Sequence, residues 1–427
     1  MIKFETCAAA FIFEIELGDT PGELGWRAGP FPWTLPTSPV HPKPRSTTAG
    51  ARREYFSSRV CGALYGVDDS RPCRWWREDM TECAPDGLQS VGAELLHFET
   101  HEGPHGLLVL HADVTGDPVE GLASGKNLHV GPARGWADTV LGRAGRVSPT
   151  ASRAFATSLF VPSETWSELP PTALPLEGWT ETDQWLWELG SATPYSRYPP
   201  DPAARDELVG DQVLLSRDWR ALVLRDGAAF VGLPQNSNAP FFDSAEVYFR
   251  AVYVDTFLLL ELQRLMLERF SNAVAVLDDP VRSPADVRFL ERGLTTFRNV
   301  YWHQQVGTSY AANRIIAAYN GQHRLSQLAE QLYQEVGEYS RQVQLAVSER
   351  STLLLGIITT VGLPFAIAIG ILQTLGVKRV PVLLACLGLA TVIAGLLVRP
   401  LLVAMLVKSQ REKLLSSRLK QRRGPSG

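Results

Sequence analysis

The chain has 427 residues, of which 20% are charged, and its formal net charge is −4. Ten basic side chains and one acidic side chain lie from residue 351 onward, so this part carries +9 and the first 350 residues carry −13. An acidic N-terminal region argues against nucleic acid as the main partner, because phosphate binding needs a positive protein face.

The first segment, Met1–Leu17, is predicted to be a strand and not a signal peptide. Its apolar stretch is interrupted by Glu5 and Glu14, and Phe11–Leu17 alternates between apolar and polar residues. The five cysteines are odd in number and irregularly spaced, so we expect free thiols in a reducing compartment.

Residues 1–242 are predicted to form a cytosolic domain of mixed α and β structure. Gly29–Arg45 carries six prolines and is expected to be an extended loop. An Asp-Gly step in Arg225–Gly227 predicts a hairpin turn. Runs of apolar and β-branched residues predict six further strands: Ala93–Thr100, Leu107–Val114, Ala154–Val161, Val213–Ser216, Trp219–Leu224 and Ala228–Leu233.

The richest histidine run spans His97 to His111. We expect a hairpin turning at Glu102–His105, with His97 opposite Leu110 and His111 opposite Leu96 on the other face. Four residues along a strand span roughly 13 Å, which is too far for one metal ion, so core or solvated histidines are expected. The sequence has no Walker loop, dinucleotide fingerprint or hydrolase motif, and we expect no enzyme activity.

Residues 243–350 are predicted to form a helical hairpin and a stalk. Val252–Phe270 is interrupted by charged residues, which favours an amphipathic helix over a membrane span. Ala285–Arg350 predicts a second helical block, with breaks at Gly307 and Asn320-Gly321. Apolar residues three and four apart predict a coiled-coil-like seam: Leu325, Leu328, Leu332, Val336, Tyr339, Val343 and Ala346. The stalk is expected to continue into the next segment without a stop.

Residues 351–407 are predicted to hold two transmembrane helices. Ser351–Val377 contains no charged residue or histidine, and only Lys378-Arg379 separates it from the second apolar segment, Val380–Val398. At about 1.5 Å per residue, either segment is long enough for a hydrocarbon core of roughly 30 Å. The basic tail, residues 408–427, predicts an inner or plasma membrane location with both termini in the cytoplasm.

One face of the first predicted span is small or polar, and we predict that it lines a pore: Thr352, Gly356, Thr359, Leu363, Ala366 and Gly370. Gln373 and Thr374 are the predicted outer filter, and Leu363 and Leu355 are the candidate gates, since an apolar constriction closes a pore by dewetting. The neighbouring stripe, Leu354 and Ile358 onward, is large and apolar. Close packing of membrane helices also selects small residues, so packing remains the alternative interpretation.

The architecture and the first span together resemble the CorA family of divalent-cation channels. Thr360 and Pro364 keep the spacing of that family, and Gly370-Ile371 falls in place, whereas the Gly-Met-Asn signature positions read Gln373-Thr374-Leu375. The likeness covers about residues 243–410. It implies a homopentamer in which Lys378 and Arg379 surround the outer mouth and Arg399, Lys408 and Arg411 the inner mouth.

The resemblance implies an ion channel or transporter for cations, gated by the cytosolic domain through the stalk. No cofactor is certain; Mg²⁺ or another divalent cation is expected as substrate or regulator. The expected partners are further copies of the chain, the lipid bilayer and ions. The alternative is a membrane-anchored sensor or effector whose N-terminal domain binds a ligand or partner, because the signature is absent and residues 1–242 carry no recognisable motif. A tethered enzyme has no supporting motif.

Overall fold

The computed structural model describes residues 4–35, 43–66, 72–78, 83–100, 103–129, 131–162, 176–194, 196–216, 218–233, 242–277 and 284–374, together with Gly388 and Val392. The chain divides into two units. One contains Met1–Asp278 and Ala285–Gly337, and the other contains Asp279–Pro284 and Glu338–Gly427. The first unit is a mixed α+β domain, and long helices follow it, as the sequence predicts at this coarse level. The boundary at residue 242 stays a prediction.

A ten-stranded sheet forms the centre of the first unit, in the order β10-β11-β12-β9-β1-β7-β6-β5-β2 with β8 paired to β1. Neighbouring strands are antiparallel except β12 and β9. The strands of this sheet are β1 Phe4–Leu17, β2 Arg27–Ala28, β5 Arg74–Glu78, β6 Leu88–Thr100, β7 Gly103–Val114, β8 Gly145–Val147, β9 Phe155–Pro162, β10 Val213–Ser216, β11 Trp219–Leu224 and β12 Gly227–Gly232. Within the predicted proline loop, β3 Thr34–Leu35 pairs with β4 Arg45–Ser46. The strand predictions are confirmed.

Helices cover both faces of the sheet. The shorter helices are α1 Ala49–Arg52, α2 Ser58–Tyr65, α3 Pro118–Lys126, α4 Ala133–Leu141, α5 Glu181–Ser191, α6 Arg205–Val209 and α7 Phe242–Tyr248. The odd-numbered residues of β1, such as Phe11 and Phe13, share a core with Trp136 of α4 and Leu186 of α5. The alternation of β1 therefore reflects two different packing layers and not one wet face.

The longer helices are α8 Val254–Ala275, α9 Pro284–Thr296, α10 Tyr310–His323 and α11 Leu325–Thr374. The predicted helix is confirmed as α8, but its polar side is narrow: from Val254 to Leu267 every residue except Arg264 is buried. The helix contacts β1 together with α2 and α10, and its charged residues Glu261, Arg264 and Glu268 lie along one side of it. A π-helical turn, Phe249–Tyr253, joins α7 to α8.

The predicted second helical block is broken twice before α11 begins. Residues 302–309 follow a π-helical turn, Phe297–Tyr301, and are not helical, which confirms the break predicted at Gly307. The second break is at Arg324, which adopts a left-handed conformation (φ 52°), and not at Asn320-Gly321. The apolar seam of α11 is buried or half-buried, as predicted.

The pairing of β6 with β7 is shifted by four residues along β7 relative to the prediction. His97 pairs with Gly106, and Leu96 pairs with Leu107. The turn is tighter than expected, because Gly103 has a φ of +127° that side chains rarely adopt and closes directly onto Thr100. His111 consequently pairs with Gly92, far from His97.

Candidate functional site

A cleft of about 890 Å³ lies within the first unit, between the sheet and helix α8. Its walls are formed by β1 and β7, by the loop 148–154, by α8, by the turn between β11 and β12, and by the end of α10. This volume falls in the range of pockets that hold small organic ligands, which are roughly 300–1,000 Å³. The cleft is therefore the candidate site, and its charged lining defines its chemistry.

The α8 wall is organised around Arg264. Its guanidinium donates to Glu261 at 2.7 Å and to Glu268 at 2.7 Å, and Tyr319 of α10 donates its hydroxyl to the second oxygen of Glu261 at 2.5 Å. Burial alone would lower the pKa of Arg264, but the charges of Glu261, Tyr319 and Glu268 and the hydrogen bond to Glu261 together outweigh burial and raise this pKa above its ordinary value. Arg264 therefore stays charged and holds both carboxylates in place.

The opposite wall is tied to α8 by a second ion pair. Arg269 donates to Glu14 of β1 at 2.6 Å and also approaches His105 Nε2 of β7 at 2.9 Å. Glu14 is an outward position in the sequence pattern, yet its side chain is only 16% exposed because it faces this helix. The pair fixes one end of the cleft.

The other end of the cleft carries more positive than negative charge. Asp226 accepts from Lys126 at 3.0 Å and from Arg153 at 2.9 Å. Arg225 stands beside Asp226 in the β11–β12 turn and forms no ion pair with any residue that the structure describes. Two cations thus share one carboxylate, and a third cation, Arg225, lies next to it in the chain.

His323 of α10 lies beside this positive end. Its ring stacks on Tyr319 with 4.2 Å between ring centroids, and burial lowers the pKa of His323. Within the described part of the chain, its buried Nε2 has no hydrogen-bond partner. The imidazole therefore offers one unused nitrogen beside Arg225.

The loop 148–154 brings hydroxyl groups to the cleft. Ser148 and Thr150 hydrogen-bond each other at 2.9 Å, and Ser152 also lines the cavity. Arg134 supports the loop from behind by donating to the carbonyls of Ser148 and Ala151 at 3.3 and 3.1 Å. These hydrogen bonds, one within the loop and two from Arg134, hold the loop in place.

A separate ionic cluster is enclosed between the sheet and the start of α8. Asp255 accepts from Arg52 at 2.6 Å, from Arg74 at 2.5 Å and from Tyr65 at 2.5 Å. Arg74 also reaches Glu94 at 2.5 Å, and all of these side chains are 0–1% exposed apart from Tyr65, a buried residue at 6%.

The pKa of Glu94 shows how closely this cluster is balanced. Burial alone would raise the pKa of Glu94, but the charge of Arg74 and a 3.0 Å hydrogen bond from His111 bring it well below its ordinary range. Burial lowers the pKa of His111 in turn. Its ion pairs join Asp255 of α8 to Arg74 of β5, so we interpret the cluster as the connection between α8 and the sheet.

No group of three or more His, Cys, Asp or Glu side chains arranged to hold a metal ion is found among the described residues. Glu261 and Glu268, two carboxylates that line the cleft, are both engaged by Arg264. The four described cysteines, Cys7, Cys61, Cys73 and Cys83, are free thiols.

Helix α11 carries the predicted pore-lining residues. Thr352, Gly356, Thr359, Leu363, Ala366 and Gly370 are three and four residues apart on it and share one face. Both candidate gates are exposed in the single chain, Leu355 at 64% and Leu363 at 56%, and Thr359 donates its hydroxyl to the carbonyl of Leu355 at 2.8 Å. Gln373 and Thr374 end the helix, and their side chains lie outside the described residues.

The remaining mouth residues lie outside the described part of the chain: Lys378, Arg379, Arg399, Lys408 and Arg411. The second predicted span does too, apart from Gly388 and Val392. Among the residues that the structure describes, no helix has the length and apolar character needed to cross a membrane. The roles of these residues stay predictions.

Comparison with known proteins identifies no family for this chain. No protein-family model matches the chain, and no curated protein matches it.

Sequence reasoning did not find Arg153, Arg225 or His323 as site residues. The Asp-Gly signal located the turn that contains Arg225, but nothing local indicates which loop and helix that turn faces. These three residues belong to separate elements, and only the order of the strands in the sheet brings those elements together.

Proposed function

We propose that the chain is an oligomeric membrane ion channel or transporter of the CorA-like type, conducting cations. In this proposal the two apolar segments cross the bilayer, both termini are cytoplasmic, and several copies, five by resemblance, line a shared pore. The α+β unit gates that pore through α11, and no catalytic step is assigned to the chain.

Helix α11 is the observation that supports this proposal. It has 50 residues, which corresponds to about 75 Å. The buried seam residues Leu325, Leu332 and Val336 occupy its first part, and the small or polar stripe from Thr352 to Gly370 occupies its last part. A continuous helix that carries both features is suited to couple a folded domain to a pore.

Ion flux into proteoliposomes tests the proposal. We expect the purified full chain to carry at least one cation in a panel of magnesium, cobalt, nickel, zinc and potassium, with chloride as the anion control. Absence of flux for the whole panel would count against conduction. The panel also identifies the ion that passes a mouth where Lys378 and Arg379 repel cations.

The Leu363→Ser variant tests the gate. A hydroxyl at an apolar constriction favours wetting, so we expect a several-fold higher leak at zero stimulus. Leu354→Ser is the matched control, since Leu354 is exposed to a similar degree, 60%, but lies on the large apolar stripe. Equal leak in both variants would remove Leu363 from the gate.

A second function is supported by the cleft. We propose as the alternative that the α+β unit is a sensor that binds a small ligand and uses the membrane segments to transmit the signal or perturb the bilayer. The observation behind it is the cleft with its unpaired Arg225 and the unused nitrogen of His323, within the described residues. Ligand-dependent thermal stabilisation without constitutive ion flux would favour this alternative.

A further inference from the structure

The positive end of the cleft has the composition of an anion site. Lys126 and Arg153 share Asp226 at 3.0 and 2.9 Å, which leaves one of these positive charges unbalanced. Arg225 adds a second, because it forms no ion pair with any described residue. A guanidinium presents a planar fork of donors that matches two oxygens of a phosphate group, and it stays charged at any physiological pH.

His323 adds a directional group to this end. It lies beside Arg225 and contacts the backbone of that residue. Its Nε2 is shielded from water and, in the described part of the chain, unbonded, which is costly unless a further polar group occupies the cleft. The hydroxyl groups of Thr150 and Ser152 lie in the same cavity. These polar groups lie at the positive end of the cleft, where the unused Nε2 of the neutral His323 can accept a hydrogen bond.

The rest of the cleft is larger than phosphate needs and carries more carboxylates than arginines. Each of these carboxylates is paired with an arginine: Glu261 and Glu268 with Arg264, Glu14 with Arg269, and Glu16 with Arg146. Paired carboxylates keep acceptor capacity for hydroxyl or amino groups. A volume of about 890 Å³ accommodates a molecule of nucleotide size.

We propose that this cleft binds a phosphorylated organic molecule of nucleotide size, with its phosphate held by Arg153 and Arg225 and its hydroxyl or amino groups facing Glu14, Glu261, Glu268 and the Nε2 of His323. The proposal deepens the alternative function, because it gives the sensor unit a ligand class. It does not depend on ion conduction.

Isothermal titration calorimetry of the detergent-solubilised full chain tests this ligand class. The probes are ATP, AMP, adenosine and inorganic phosphate, each without added metal. We expect ATP or AMP to bind, and to bind more tightly than both adenosine and inorganic phosphate. Adenosine binding as tightly as the nucleotides, phosphate binding as tightly as the nucleotides, or no binding by ATP and AMP would each overturn the proposal.

Arg225→Gln tests the position of the phosphate. Loss of one charge-assisted contact should weaken nucleotide binding about ten-fold or more. Arg143→Gln is the matched control: Arg143 is 80% exposed, pairs with Asp19 and does not line the cleft. Unchanged affinity in Arg225→Gln, or an equal loss in both variants, would contradict the site. Because calorimetry in detergent measures no flux, its failure leaves the channel proposal standing, and absence of flux leaves this one standing.

Discussion

Among single residues, Asp255 joins three separate elements of the first unit. It is 0% exposed and accepts from Arg52 of α1, from Arg74 of β5 and from the Tyr65 hydroxyl of α2. Taking a carboxylate out of water costs several kcal/mol unless partners compensate for the lost hydration. Asp255 therefore stabilises the fold only as long as both arginines remain paired.

Asp255→Asn tests this interpretation. The substitution keeps the side-chain size but leaves Arg52 and half of the contacts of Arg74 without their anion, so we expect a loss of about 3 kcal/mol in the free energy of unfolding. Denaturant titration followed by tryptophan fluorescence measures it. Glu78→Gln, which breaks the exposed pair with Arg27, is the control and should change stability by less than about 0.5 kcal/mol. Similar losses of stability in the two variants would mean that the buried cluster contributes no more to the free energy of unfolding than an exposed ion pair does.

The sequence could not have revealed the Asp255 cluster. Asp255 reads as an interruption of an apolar run, and that reading led to an amphipathic helix with one wet face. Its partners, Arg52 and Arg74, lie about 200 and 181 positions away in the chain, in elements whose local patterns give no sign of contact with α8. Long-range pairs of this kind depend on the order of strands in the sheet.

At the element scale, α11 is the part of the fold that the sequence predicted best. Leucine and valine at spacings of three and four indicate a helix with one buried face, and Leu325, Leu332, Val336 and Val343 are buried. The helix has one weak position in its first half. Gly337 lies between Val336 and Glu338, where one unit of the chain ends and the next begins.

Gly337→Ala should strengthen α11. Glycine inside a helix costs roughly 0.5–1 kcal/mol relative to alanine, and an added Cβ at this position meets nothing within 4 Å. We expect a gain of that size, measured as a higher thermal unfolding midpoint by circular dichroism. Gly337→Pro is the opposing variant and should reduce helicity. A lower midpoint for Gly337→Ala would show that this glycine has a role other than its place in the helix.

The positions of the strands were predictable for the same reason as α11, whereas the starts of β6 at Leu88 and β7 at Gly103 and the pairing details were not. Val213–Ser216 and Trp219–Leu224 agree with the structure residue for residue. The β6–β7 register was missed, because pairing depends on the backbone of Gly103, whose positive φ is not encoded in the hydrophobic pattern. The cleft was missed for a related reason, since its residues come from both halves of the sheet.

In the whole molecule, an acidic α+β unit, which encloses a charged cleft, precedes a basic, apolar C-terminal region. Both proposed functions place that region in a bilayer. The channel proposal further requires that several copies assemble, because one helix face of small and polar residues lines a pore only when copies of it surround an axis. Conduction therefore requires that several copies of the chain assemble.

The mass of the full chain in lipid nanodiscs, measured by native mass spectrometry, tests whether copies of the chain assemble. We expect one dominant species at a multiple of the 47.0 kDa chain, five-fold by the family resemblance. Dissociation to lower multiples at high detergent is compatible with assembly, so the nanodisc measurement decides. A single chain per nanodisc across the accessible protein concentrations would contradict the channel proposal.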